Sequence, residues 1–279
     1  MQIEQAWRLA SRQIQSDSAI LDAQLLLLAV LQKADRSYLL TWPDKPLSLQ
    51  QEAAYQSLLK RRLQGEPIAH ILGYREFWGL NLKVNASTLI PRPDTETLVA
   101  CTLALISQTP QKNGVLLDLG TGTGAIALAL KSELPDWEID AVEFNAEAAE
   151  LARENSKALK LPINIYQGSW FKPLASQTYH FIVSNPPYID ADDPHLSQGD
   201  VRFEPKSALV AHEHGLADFI QIAREARSYL KCKGYLLFEH GYSQSDQVQQ
   251  ILQEAGYTDI ASHRDLAGQA RVTVGQLKK

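Results

Sequence analysis

The sequence predicts an α/β domain built on a mainly parallel sheet, preceded by a small all-helical domain. Three observations carry that reading. From residue 114 onward short apolar runs alternate with helical segments, the order that lays down parallel strands joined by helices. A glycine cluster stands where the first of those runs ends. Before residue 75 only helical periodicity is present, and the charge balance differs there too. Residues 1–75 hold 9 Lys/Arg against 7 Asp/Glu (+2), whereas residues 76–279 hold 18 against 25 (−7).

In the first domain Ile3, Ala6, Trp7, Ala10 and Ile14 recur at helical spacing, and Asp17 with Ser18 opens a second helix that runs to Leu31. Ser48 followed by Gln51 fits a capping box, and that helix continues to Leu63 before Gly65-Glu66-Pro67 stops it. Phe77 to Val84 alternates in polarity and reads as a short hairpin. In Ile90-Pro91-Arg92-Pro93 each proline drives its predecessor away from the α region, which fixes an extended connector. The expected domains are therefore 1–75, a hairpin and connector at 76–92, and 93–279.

Within the last of these, Val115–Leu119 is a strand, followed by an Ala/Leu-rich helix to Leu134. Ile139–Val142 is the next strand, and Asn145 caps a helix to about Leu159. Ile163–Gln167, Phe181–Ser184, Tyr235–Glu239 and Arg271–Gln276 read as further strands, with helices at Phe219–Leu230 and Ser245–Ala255. From Ile189 to Gly215 stand 27 residues with little periodicity. A connector of that length points to function or disorder.

Composition narrows the classes. The 279 residues are 45% hydrophobic and 21% charged, the mix of a globular chain of one or two domains rather than a disordered one. A net charge of −5 argues against a partner that presents a long phosphate backbone. Cys101 and Cys232 are too few and too far apart for a disulfide scaffold or a cysteine zinc site. Met1-Gln2-Ile3-Glu4 has no signal-peptide character, and the longest apolar stretch, Leu25 to Leu31, is far short of the ~20 residues of a membrane span. A soluble cytoplasmic protein is expected.

Two motifs carry chemistry. Asp118-Leu119-Gly120-Thr121-Gly122-Thr123-Gly124 sits between a strand and a helix, where bare backbone lets a ligand approach and the helix start offers N–H groups and a positive dipole end. Glu143 closes the next strand, 19 residues beyond Gly124, where a carboxylate can accept both hydroxyls of a ribose. The turn marks a nucleoside cofactor, and because G-x-G-x-x-A is completed by Ala125 a nicotinamide or flavin remains open. The second motif, Asn185-Pro186-Pro187-Tyr188, follows a later strand. Its prolines stiffen the backbone and leave carbonyls free, Asn adds an acceptor, and Tyr a flat face. That set suits a planar group bearing an NH₂, with Asn185 Oδ1 and the Pro186 carbonyl taking one N–H each.

Asp118-x-Gly-x-Gly-x-Gly, Glu143 and Asn185–Tyr188 resemble the motifs of class I S-adenosylmethionine-dependent N-methyltransferases, which act on adenine amines or glutamine amides. Phe77-Trp78-Gly79-Leu80, Leu89-Ile-Pro-Arg-Pro-Asp-Thr-Glu96 and Arg202-Phe203-Glu204-Pro205 narrow the resemblance to the release factor glutamine methyltransferase (HemK/PrmC) family, over nearly the whole chain. The resemblance implies a Rossmann-like, seven-stranded catalytic domain behind a small helical domain that grips a class-1 peptide-chain release factor. It implies S-adenosylmethionine held by Gly120, Thr121, Gly122, Thr123, Gly124, Glu143, Trp170 and Asn185. It further implies substrate glutamine held by Asn185, Pro186, Pro187 and Tyr188, with Asn185, Pro186 and Tyr188 catalytic and no metal. Where the family commonly has Asp before the Trp, this chain has Ser169, which still can accept a hydrogen bond.

Competing readings fare worse. An N6-adenine DNA or RNA methyltransferase shares the tetrad but not the connector signature, and residues 189–214 carry six acids against Arg202 and Lys206 (−4), which repels a nucleic-acid strand. A nicotinamide oxidoreductase leaves the tetrad without a task, and a non-catalytic cofactor-binding scaffold is the remaining alternative. Lys60-Arg61-Arg62 reads as a solvated helix end. His212-Glu213-His214 lacks a third metal ligand. Asp190, Asp192, Asp193 and His195 are expected at the mouth of the substrate cleft.

Overall fold

The computed structural model describes every residue except 34, 110, 111, 198 and 279, and the side chains of 195 and 197, including the expected cleft residue His195, lie outside the described set. The chain divides into two compact units, Met1–Tyr74 with Ser197–Phe203, and Arg75–Leu196 with Glu204–Lys279.

The first unit holds α1 (Ile3–Ser11), α2 (Ala19–Leu31), α3 (Ser37–Thr41), α4 (Leu49–Leu63) and α5 (Ile68–Leu72). Ile3, Ala6, Trp7 and Ala10 form the buried stripe of α1, packed with Leu26 and Leu27 of α2 and Leu59 of α4 in one core. Tyr55 is fully buried, and its hydroxyl donates to the Ala23 carbonyl at 3.0 Å. The capping box forms: Ser48 Oγ accepts from the Gln51 amide and Gln51 Oε1 from the Ser48 amide. The single-turn helices α3 and α5 are too short for periodicity to reveal.

One expectation fails here. Arg62 is not solvated. Its guanidinium donates to Asp22 at 2.8 Å and to Asp200 at 3.0 Å, with its side chain 9% exposed, while Arg61 pairs with Glu66. Only Lys60 of the basic run is exposed. The extra charge is consumed inside the unit because the apolar face of α2 leaves Asp22 buried and in need of a cation.

The second unit opens with a hairpin of β1 (Tyr74–Phe77) and β2 (Leu80–Lys83), which starts three residues before the sequence expectation. The connector leads through a 3₁₀ turn at Pro93–Thr95 into α6 (Glu96–Ser107), a helix the sequence reading omits. Leu98, Val99, Leu103, Leu105 and Ile106 spread apolar surface around most of α6, so no stripe stands out. Then follow β3 (Val115–Leu119), α7 (Ala125–Glu133), β4 (Glu138–Glu143), α8 (Ala146–Leu159), β5 (Asn164–Gln167) and β6 (Tyr179–Ser184). A short parallel pair, β7 (Ile189–Asp190) and β8 (Val210–Ala211), brackets three 3₁₀ turns. The helical turn α9 (His212–Gly215), α10 (Ala217–Tyr229), β9 (Leu230–Glu239), α11 (Ser245–Glu254), β10 (Thr258–Arg264) and β11 (Ala270–Gln276) complete the chain.

The seven-stranded sheet runs β10-β11-β9-β6-β3-β4-β5, and only β11 is antiparallel to its neighbours. Apolar residues of α6 and α7 cover one face, those of α10 and α11 the other. The edge strand β10 buries no residue completely, which hides it from a hydrophobic pattern search. From β3 the chain winds outward to β4 and β5, then crosses back to place β6 on the other side of β3. The crevice at that reversal is the natural ligand position of an open α/β sheet. Leu119 lies opposite both Val142 and Ser184, so the glycine turn, Glu143 and the tetrad leave the sheet at one level.

Candidate active site

A cavity of about 350 Å³ opens in the second unit at that edge, within the ~300–1,000 Å³ typical of small-molecule sites. The glycine turn from Gly120 to Thr123, the Glu143-Phe144-Asn145 run, Trp170 and Asn185 line it. The connector from Ser87 to Thr95 and the segment from Ser207 to Val210 supply further wall residues.

The turn is braced before any ligand arrives. Thr121 Oγ1 donates to Asp118 Oδ2 at 2.6 Å, and the amides of Gly120 and Thr121 both donate to the Val142 carbonyl. Burial raises the Asp118 carboxyl to about 7, against the Thr121 hydroxyl and the Ala127 amide that favour its charge. Glu143 is held at both oxygens: Oε2 accepts from the Gly122 amide at 2.9 Å and Oε1 from the Asn145 amide at 2.8 Å. Asn145 meanwhile caps α8 through the Glu147 and Ala148 amides. Behind the turn the buried Asn155 carboxamide donates to the Thr123 and Lys83 carbonyls and accepts from the Lys83 amide, tying hairpin, turn and α8 together.

Gly124 is placed differently from its neighbours. It does not line the cavity. It begins α7 with φ of +84°, and a Cβ there would meet Leu128 Cδ1 at 3.1 Å and Ala152 Cβ at 3.4 Å. The left-handed φ, together with close packing on α7 and α8, is what calls for glycine here.

Trp170 stands across from the turn, its ring edge 3.5 Å from where a Gly120 Cβ would be, and its indole N–H donates to Asp218 at the start of α10. Burial raises the Asp218 carboxyl and the indole opposes the shift. Ser169 also lines the cavity.

Of the tetrad, Asn185 and Pro187 line the cavity, whereas Pro186 and Tyr188 do not. Pro186 is buried. Tyr188 packs on the second core, the one that α10 and α11 form against the sheet, rather than lining the cavity, with its phenol pushed up to about 12, chiefly by burial and then by Glu239. Its carbonyl accepts from Gln244 Nε2 at 3.0 Å, while Gln244 Oε1 takes the Gly241 amide. Asn185 Nδ2 lies 3.5 Å from Thr95 Oγ1, which in turn donates to Glu239 Oε1 at 3.1 Å. Glu239, at the end of β9, is 2% exposed, and burial raises its carboxyl to about 7 despite Thr95, Arg271 and Asn185.

The connector and loop signatures meet. Glu204 is buried and accepts from the Ile90 amide at 3.0 Å and from Arg92 at 2.6 Å. The acidic loop is thus less repulsive than its count implies, since Asp200 pairs with Arg62 and Asp190 contacts His214 Nδ1 at 2.8 Å. Asp190, Asp192 and Asp193 do not line the cavity, although Val210, the β8 partner of Ile189, does. Among the described residues no group of three or more His, Cys, Asp or Glu is placed to hold a metal ion, and no helix is long and apolar enough to cross a membrane.

Thr88, Thr95, Asp218 and Glu239 escape the sequence reading. Thr88 lines the wall with a buried hydroxyl that has no hydrogen-bond partner. Thr95 lies inside the connector signature, and Glu239 ends β9 one residue past Phe238, the partner of Ser184, so the strand-end rule that led to Asn185 extends to Glu239.

A family model of the PrmC N-terminal domain matches residues 5–73, and one of the methyltransferase small domain matches residues 96–200. The chain is 57% identical over 284 residues to the release factor glutamine methyltransferase of Vibrio cholerae, covering 99% of this chain and 97% of that one. It is 49% identical over 275 residues to the Escherichia coli protein of the same name, covering 98% of each. A crystal structure of a methyltransferase from Pyrococcus furiosus superposes with a TM-score of 0.55 at 17% identity, covering 80% of this chain and 100% of that one, a likeness of fold.

Proposed function

This chain belongs to the release factor glutamine methyltransferase family, and we propose that it methylates the side-chain amide nitrogen of a glutamine in class-1 peptide-chain release factors, modulating translation termination in the cytoplasm. The observation that carries the reading is the meeting of Asn185 with the glycine turn and Glu143 on one cavity. That donor set fits S-adenosylmethionine. Gly120 to Thr123 give backbone access, Glu143 presents fixed carboxylate oxygens to a ribose, and Trp170 offers a face to the adenine. When bound, this cofactor supplies a methyl group already activated on a sulfonium.

The protein's task is then alignment. An amide nitrogen is a weak nucleophile because its lone pair is shared with the carbonyl, so orientation must supply much of the barrier reduction, up to ~7–11 kcal/mol in well-placed intramolecular models. Asn185 Oδ1 accepts an N–H of the substrate amide and stabilises the positive charge that grows on its nitrogen. Pro186 and Pro187 stiffen the backbone that carries Asn185. The helical unit has no catalytic motif and serves to grip the release factor, since one glutamine offers far less than the ~1,200–2,000 Å² of a specific interface.

The test is incubation with a purified release factor and isotopically labelled S-adenosylmethionine, followed by peptide mass spectrometry. Label on a glutamine side chain is the expected result. Label in adenine of DNA or RNA, with none in the release factor, would overturn it.

A further inference from the structure

Glu239 lines no part of the cavity, yet it lies one side chain behind Asn185. Where the Glu239 carboxyl is ionised it only accepts, so the Thr95 hydroxyl then donates its single hydrogen to Glu239 Oε1. What Thr95 Oγ1 then has left is a lone pair, and the group facing it is the Asn185 carboxamide at 3.5 Å. Only the NH₂ end of that carboxamide can answer a lone pair. The polarity of the relay therefore runs one way, from Asn185 Nδ2 to Thr95 and on to Glu239, whose charge Asn185 itself also favours, and it leaves Asn185 Oδ1 for the cavity.

The carboxylate is an expensive choice for a merely structural position. Among the described residues Glu239 Oε2 is buried with no hydrogen-bond partner within 3.5 Å, and a buried group in that state calls for an explanation. Burial and Asp94 oppose its charge, whereas Arg271 favours it, and that charge in turn raises the Tyr188 phenol. A neutral Gln side chain in its place could present either end to Thr95, and the hydroxyl could then turn toward Asn185.

We propose that Glu239 is a positioning residue for methyl transfer: through Thr95 it fixes the Asn185 carboxamide with Nδ2 inward and Oδ1 toward the substrate amide. The proposal rests on the reading of Asn185 as the amide acceptor. Single-turnover transfer to the release factor and calorimetric affinity for S-adenosylmethionine are measured for the wild type, Glu239→Gln, Asn185→Ala and the double variant. Glu239→Gln slows transfer about tenfold while cofactor affinity stays within about twofold, the size of coupling that contacting groups show. In the Asn185→Ala background the same change alters the rate by less than about twofold, because the group it orients is gone.

An equal loss in both backgrounds overturns the proposal, as does an unaltered rate in Glu239→Gln or a matching loss of cofactor affinity. Asn185→Ala at full rate removes the underlying reading and this inference with it. If Glu239→Gln does not fold, Thr95 decides. Thr95→Val, which keeps the shape without the hydroxyl, slows transfer, and Thr95→Ser recovers most of the loss. Equal rates in those two variants refute the relay.

Discussion

Gly215 offers a way to move the tetrad without touching any residue in it. It sits at the end of α9 with φ of +83°, and a Cβ built there falls 2.2 Å from the Tyr188 carbonyl oxygen and 2.9 Å from its carbon. Such contacts are essentially never closer than 3.0 Å, so Gly215→Ala must open that gap by at least 0.8 Å. The obstacle is backbone, which cannot rotate aside as a side-chain tip can. It is also the carbonyl that Gln244 anchors, so the displacement feeds into the peptide three residues from Asn185. A misplacement of ~1 Å at a transfer site costs about 10²-fold in rate. The left-handed conformation adds about 1–2 kcal/mol of strain for an L-residue.

Gly268→Ala separates the two effects, because Gly268 has φ of +80° with nothing within 4 Å of its Cβ position. Both variants are expected to lose stability by urea denaturation from backbone strain, Gly215→Ala the more because its Cβ also overpacks the Tyr188 peptide. Gly215→Ala alone slows transfer by about 10²-fold in a radiolabel assay, with S-adenosylmethionine affinity largely kept. A Gly215→Ala rate equal to that of Gly268→Ala refutes the claim that the Tyr188 backbone positions Asn185.

Glu143→Ala strips the acceptor from the Gly122 and Asn145 amides, which calls for a loss of about 1–3 kcal/mol in denaturation, together with at least tenfold weaker cofactor binding by calorimetry. Unchanged affinity would remove Glu143 from the site. Arg62→Ala leaves Asp22 buried without its cation and should destabilise the helical unit by about 3 kcal/mol, whereas a solvated arginine would cost almost nothing. The Glu239 carboxyl is raised in the folded state from 4.5 to about 7, so it favours folding fully below pH 4.5 and loses that contribution as pH rises toward 7. Relative to wild type, Glu239→Gln should therefore gain up to about 3 kcal/mol between pH 4.5 and pH 8, and a constant difference across that range contradicts the assignment.

The layers most legible in the sequence are those fixed by local rules. Strand and helix alternation, the Ser48 capping box and the Asn145 cap all appear where expected, because each is decided within a few residues. The glycine turn and Asn185 were legible because strand ends are where an open sheet binds ligands. Gly124, Pro186 and Tyr188 were read together with their neighbours. Sequence adjacency does not distinguish a residue facing a cavity from one packed on Leu128 or on the second core. Thr95 and Asp218 became visible only when the strands, the connector and α10 met in space. The burial of Arg62 was hidden for the same reason, since Asp22 and Asp200 are 40 and 138 residues away.

The double anchoring of Glu143 also bears on what the cavity turns away. A free carboxylate can swing out to make room for an unwelcome neighbour. This one is tied by an amide at each oxygen and keeps its charge where it stands. A sugar hydroxyl meets ready acceptors there, whereas a phosphate on the same sugar position meets a like charge that cannot retreat. With the ribose placed against Glu143 as proposed above, discrimination against phosphorylated nucleosides would come from immobility rather than from an added contact.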